Sequence, residues 1–227
     1  MAIPVMILGE SGSGKTTSLM NMPPEKTLMI QPLRKPLPFP YGRLGWKYLD
    51  PQNPQSGGNM VASPNWSDVW SFSMKSRRPV CVLDDFQYNM VDEFMNRSGE
   101  KSFDKFTEIG NHVYQLCKHI ISLANDRRFY FLWHTQSDET GKLKAKTIGK
   151  LLDEKVTMEG MFTVVLMAAK NPVTNNHCFY TQSQGKDTVK SPIGMFAEPF
   201  IPNDLLLVDN KICDYYGIPK INQQTAA

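Results

Sequence analysis

The stretch that most constrains this chain is Gly9-Glu10-Ser11-Gly12-Ser13-Gly14-Lys15-Thr16, set between the apolar run Ile3 to Leu8 and a segment of helical character from Thr17. It fits G-x-x-x-x-G-K-[ST] in the strand, loop, helix setting where that pattern cradles phosphate. Gly9, Gly12 and Gly14 let the backbone curl until successive N–H groups face one anion, an approach that a Cβ would obstruct. A helix opening near Lys15 adds unpaired amides and the positive end of its dipole. Lys15 is long enough for the β- and γ-phosphates, and the Thr16 hydroxyl is a magnesium ligand. Gly9, Glu10, Ser11, Gly12, Ser13, Gly14, Lys15, Thr16 and Thr17 therefore form the expected nucleotide-binding set.

Such a loop needs a buried sheet behind it. A length of 227 residues, 41% of them hydrophobic and 21% charged, supplies one and fits a single large α/β domain over 1–220 better than two small ones. The net charge of +3 is too small to imply nucleic-acid binding by itself. Cys81, Cys117, Cys178 and Cys213 are scattered without a C-x-x-C pair, which favours buried free thiols in a reducing compartment over a zinc site. No apolar run approaches the ~18 residues of a membrane span. The start of the chain reads as the first strand rather than a signal peptide or a preceding domain, so a cytoplasmic location without membrane contact is expected.

A short first helix stops near Pro23-Pro24, and Thr27 to Ile30 reads as a buried second strand. From Gln31 to Ser67 prolines punctuate the chain, and Arg34, Lys35, Arg43 and Lys47 alternate with Phe39, Tyr41, Trp46 and Tyr48. This insertion (31–67) is either a stacking surface for single-stranded nucleic acid or a surface excursion whose aromatics pack back on the body. A helix is expected from Ser67, as N-cap, to Lys75. Val80-Cys81-Val82-Leu83-Asp84-Asp85 then reads as a strand ending in two acids, and ligands sit off the carboxyl ends of such strands. Asp84 is accordingly placed as the Walker-B carboxylate that holds Mg²⁺ through water, with Thr16 as the second metal residue. Asp85 either polarises the attacking water or caps the helix Phe86 to Asn96. Glu10 and Asp50 are the fallback acids.

A long helix from Ser102 or Asp104 to Asn125 carries an apolar stripe, with His112 and His119 as surface or packing residues. Arg128 to Trp133 is the next strand. At its tip Gln136 or His134 is placed to sense the γ-phosphate, unless the tip is simply a polar strand end. The segment Ser137 to Lys150 follows, and its Lys142, Lys144, Lys146 and Lys150 suit a phosphodiester backbone or form a solvated basic loop. Met161 to Ala168 and His177 to Thr181 suggest an antiparallel edge hairpin. Lys186 and Lys190 can reach a γ-phosphate in their own or a neighbouring subunit, or are free surface lysines. Short helices over Asn203 to Tyr216 and a loose tail at 221–227 complete the reading.

With these motifs in order, the chain resembles the RecA-like P-loop ATPases, and more narrowly the small phage-encoded RecA-core proteins linked to single-strand annealing and recombination. The likeness rests on GESGSGKTTSL, VLDDFQY, FLWHTQ with its lysine loop, IGKLLDEKVTMEGMFTVVL and DTVKSPIGMF, which together span most of the chain. It implies a mostly parallel sheet flanked by helices, hydrolysis of ATP with Mg²⁺, and assembly into rings or filaments. It further implies single-stranded DNA and replication or recombination proteins as partners, in a host cytoplasm if phage-encoded. By position Gln136 matches the γ-phosphate-sensing glutamine, and Lys15, Asp85 and Gln136 become the catalytic set. One departure stands out: RecA proteins carry a catalytic glutamate after the second strand, where this chain has Gln31-Pro32. Either Asp85 substitutes for it, or turnover is slow and the chain is a nucleotide-gated assembly module. A small-molecule or nucleotide kinase fits the size, but no arginine-rich lid pattern follows Gln136.

Overall fold

A computed structural model of the chain describes residues 1–50 and 52–221; the expected tail, apart from Ile221, lies outside them. The P-loop strand β1 (Ile3–Gly9) is followed by β2 (Thr27–Gln31), β3 (Met60–Ala62), α1 (Trp66–Lys75), β4 (Val80–Leu83), α2 (Gln87–Asn96) and α3 (Asp104–Ser122). Then come β5 (Arg128–Ser137), β6 (Leu143–Ala145), β7 (Val164–Lys170), β8 (His177–Tyr180), β9 (Phe200–Pro202) and α4 (Leu205–Tyr216). Among the described residues nine strands form one sheet in the order β3-β2-β4-β5-β1-β7-β8-β9, with β6 paired to β5 beyond the main ladder. Pairs from β3 to β7 are parallel, while β7-β8, β8-β9 and β5-β6 are antiparallel. This is the mostly parallel sheet, with an antiparallel edge and flanking helices, expected of a RecA-like core.

The strands read as unbroken apolar runs because both faces are covered. Along β1, Met6 and Leu8 join Phe129, Phe131 and Trp133 of β5 in the layer under α3, whose Ile109, Val113, Leu116 and Ile120 face the sheet. Val5 and Ile7 join Tyr130 and Leu132 on the other face, under Leu205, Val208 and Ile212 of α4. Leu37, Phe39 and Trp46 of the proline-rich insertion are buried in this second layer. Those aromatics are packing residues, so of the two readings of 31–67 the stacking surface is set aside.

Three local expectations are corrected. The P-loop runs into a 3₁₀ segment, Thr16–Asn21, instead of an α-helix. Met22 is extended ahead of Pro23-Pro24, so an α-helix has no room to propagate. The helix after β3 is capped two residues early, with Asn65 as N-cap in place of Ser67. The lysine segment is a hairpin in which Gln136 stands opposite Lys144 and Ser137 opposite Leu143, closed by a turn at Asp138–Lys142. Among the described residues no helix is long and apolar enough to cross a membrane. Cys81, Cys117, Cys178 and Cys213 are all buried and unpaired with one another.

Candidate nucleotide site

The loop after β1 curls through two left-handed glycines, Gly12 at φ 77° and Gly14 at φ 95°. A Cβ on Gly14 would stand 2.6 Å from Asn203 Nδ2 and 3.2 Å from His177 Nδ1, so this position is closed to other residues by conformation and by space. Those two neighbours come from the antiparallel return of the chain. Asn203 Nδ2 donates to the Gly14 carbonyl at 3.0 Å, and His177 Nδ1 lies 3.0 Å from the Ser13 carbonyl. The outer side of the loop is thus pinned by its carbonyls. The buried Ser13 hydroxyl, close to Gly9 at the end of β1, has no hydrogen-bond partner.

Lys15 lies buried along the loop, its Nζ donating to the Gly9 and Glu10 carbonyls, each at 2.8 Å. Burial pulls its pKa down to about 8, against the pull of Asp85 and Asp84. The parallel ladder explains how Asp84 meets this loop: its amide donates to Ile30 on β2 at 2.9 Å, continuing β4 one residue past Leu83. The Thr16 hydroxyl then donates to both Asp84 oxygens, at 2.9 and 3.2 Å. Gln31 Nε2 donates to Asp84 Oδ2 at 2.9 Å, and the Tyr48 hydroxyl donates to Gln31 Oε1 at 2.7 Å. Asp84 is fully buried and its side-chain donors are both neutral. Burial first, and then the charge of Asp85, push its carboxyl up to about 6. A buried carboxylate beside a hydroxyl, both hard oxygen ligands, fits Mg²⁺ once phosphate and water complete the shell. No cluster of three or more acidic, His or Cys residues suited to a metal occurs among the described residues, so a protein-only metal cage is not available.

Asp85 does not cap α2. That helix opens behind Phe86 with no side-chain cap, and Asp85 adopts a left-handed φ of 52° that turns its carboxylate into the cleft. There it pairs with Lys35, and His134 Nε2 lies 3.1 Å from Oδ1, where it donates as the Nε2–H tautomer. Burial works to raise this carboxyl, but the hydrogen bonds from His134 and Lys35 outweigh it and hold it well below the ordinary carboxylate range. His134 reaches this point because β5 sits between β4 and β1, with His134 opposite Gly9.

These groups surround a cavity of about 510 Å³, walled by the loop from Ser11 to Thr17 together with Leu33, Lys35, Pro36, Pro38, Asp85, Tyr88, His134 and His177. Gln136 points elsewhere: its Nε2 donates to Asp153 at 2.6 Å, and Asp153 also pairs with Lys144 at 2.7 Å. Lys142, Lys146 and Lys150 are exposed, as are Lys186 and Lys190. Of the fallback acids, Glu10 is exposed with its carbonyl on Lys15, and Asp50 accepts from the Gln52 amide in its own turn. Lys35, His177 and Asn203 joined the site without local sequence motifs. Gln31 had a signal, since it occupies the place of the absent glutamate.

No protein-family model matches the chain, and no curated protein matches its sequence. Among solved structures, the KaiC-like protein PH0186 from Pyrococcus horikoshii OT3 is similar with a TM-score of 0.47 and 11% identity, over 78% of this chain and 76% of that one.

Proposed function

We propose that this chain is a single-domain, Mg²⁺-dependent ATPase of the RecA-like type. The observation that carries the reading is the contact of Thr16 with the buried Asp84, on the same glycine loop that carries the buried Lys15. In this reading the loop amides and Lys15 bind and orient the β- and γ-phosphates. Thr16 and Asp84 hold Mg²⁺, which neutralises phosphate charge when bound. Asp85 and His134 orient the attacking water in place of a RecA-type glutamate. Nucleotide state then controls single-stranded DNA binding or annealing, by oligomers in a cytoplasm (the host's if phage-encoded). Support for the DNA part is the exposed Lys142, Lys146 and Lys150 around the β5–β6 hairpin, on the strand that also delivers His134. Gln136, turned from the cavity onto Asp153, serves in this reading as a relay from that strand instead of touching the phosphate, and Lys186 and Lys190 act on a neighbour's nucleotide.

A second reading, a nucleotide-gated assembly module that recruits replication or recombination proteins with little turnover, is favoured by one contact. Gln31 is spent on Asp84, and no acid stands in its place. Phosphate release from ATP and Mg²⁺, with and without single-stranded DNA at two salt concentrations, separates the two. Stimulation by DNA that fades at high salt is the expected result. Tight ATP binding with negligible release in either case supports the gate. Lys15→Ala should abolish nucleotide binding, and Asp84→Asn should spare binding and remove Mg²⁺-dependent release. Normal turnover in both variants would overturn the reading.

A further inference from the structure

Lys35 has no part in the phosphate-loop motif, yet it lines the same cavity. Its backbone is firmly held. The Tyr48 hydroxyl, its single proton shared with Gln31 Oε1, lies 3.0 Å from the Lys35 carbonyl, Arg34 stacks over the Tyr48 ring at 4.6 Å, and Leu37 and Phe39 anchor the segment in the core. Pro36 and Pro38 on the cavity wall stiffen it further. The side chain, by contrast, is 46% exposed and its ammonium sits on Asp85. Among the described residues lining the cavity, Lys15 and Lys35 are the two lysines. Lys15 is buried and belongs to the loop, its ammonium on the Gly9 and Glu10 carbonyls. Asp85 keeps His134 as a second partner, so departure of Lys35 would not strand a buried charge.

We propose, resting on the nucleotide reading above, that Lys35 is the cavity's second phosphate-binding lysine, exchanging Asp85 for the terminal phosphate of a nucleoside triphosphate. The exchange is a swap of ion-pair partners with no bond made or broken. A fixed backbone with a free ammonium suits it, because the side chain alone must move. A diphosphate lacks the oxygens that Lys35 would meet, so Lys35 makes the site distinguish ATP from ADP. It also couples the 31–67 segment to nucleotide state, and it frees Asp85 when the terminal phosphate is present.

The test is calorimetric titration of the full chain with ADP and with a β,γ-imido analogue of ATP, each with Mg²⁺. Lys35→Ala should weaken the triphosphate analogue by about tenfold, the contribution of one charge-assisted hydrogen bond, and leave ADP affinity unchanged. Lys35→Arg should restore most of the difference. Asp85→Asn, which releases the lysine without removing it, should tighten the analogue relative to ADP. Equal losses for both nucleotides, or no change in either, would overturn the proposal and leave Lys35 as a structural partner of Asp85. Failure of the unaltered chain to bind either nucleotide would instead sink the nucleotide reading, and the proposal with it.

Discussion

Two cation–carboxylate pairs sit at opposite ends of the parallel sheet and differ in nearly every respect. Arg128, at the start of β5, donates through Nε and Nη2 to the two oxygens of Asp209 on α4, both at 2.9 Å, and the Tyr130 hydroxyl adds a third bond at 2.7 Å. The Arg128 and Asp209 side chains are 2% and 0% exposed. Lys35 and Asp85, beyond the carboxyl ends of the strands, keep a half-exposed lysine and an open cavity beside them. The planar guanidinium fork fills its carboxylate and has nowhere else to go. A flexible ammonium on a carboxylate that has another partner can be replaced. One pair fastens a helix to the sheet; the other has the freedom a ligand needs.

Substitution should separate them by magnitude. Asp209→Ala leaves a buried guanidinium unpaired, and denaturant unfolding should show a loss of about 3–5 kcal/mol. A loss below about 1 kcal/mol would mean that the buried pair is no fastening at all. Asp85→Asn should leave the fold intact and lower phosphate release by about 100-fold, the scale of a lost positioning contact to the attacking water. Lys35→Ala, on the same unfolding measurement, should shift stability by less than about 1 kcal/mol, since its ammonium is already half solvated.

The smallest effect is at Cys213, whose thiol donates to Asp209 at 3.8 Å and is pushed up to about 11 by burial and by the Asp209 charge. A thiol raised in the folded state favours folding below its ordinary value of 9.0 relative to more alkaline solution. Stability should therefore decline between pH 9 and 11, and Cys213→Ala should flatten part of that decline. Alkylation of Cys213 at pH 8 should be negligible in the native protein and faster in Asp209→Asn, if the pair closes this corner. Equal rates in the two would show that packing alone protects the thiol.

The P-loop and Asp84 were legible in the sequence because each is a local pattern: glycines where the backbone must curl, and an acid closing a run of four apolar residues, Val80–Leu83. The sheet was legible for a related reason, since burial on both faces writes unbroken apolar strands. The partners of the loop were not. His177 lies 164 residues from Ser13 and Asn203 lies 189 from Gly14, and such contacts follow from the antiparallel edge without any local signal. Lys35 was visible as one basic residue among aromatics, and the burial of Phe39 and Trp46 separated it from them. The strand β6 was hidden because Leu143-Lys144-Ala145 is too short to show a period. Asp85 could be read either as a water-polarising acid or as a helix cap, since nothing local announces a left-handed backbone in an aspartate.

That left-handed backbone bears on how the protein can change over generations. At φ 52°, position 85 is comfortable for aspartate, asparagine or glycine and strained for bulkier residues. Asparagine and glycine are each a single-base change from an aspartate codon. The substitutions the fold tolerates best are thus the ones that remove the carboxylate from the cleft while sparing the phosphate loop. The backbone at this position leaves the carboxylate itself, rather than the fold, as the thing a single base change most readily removes.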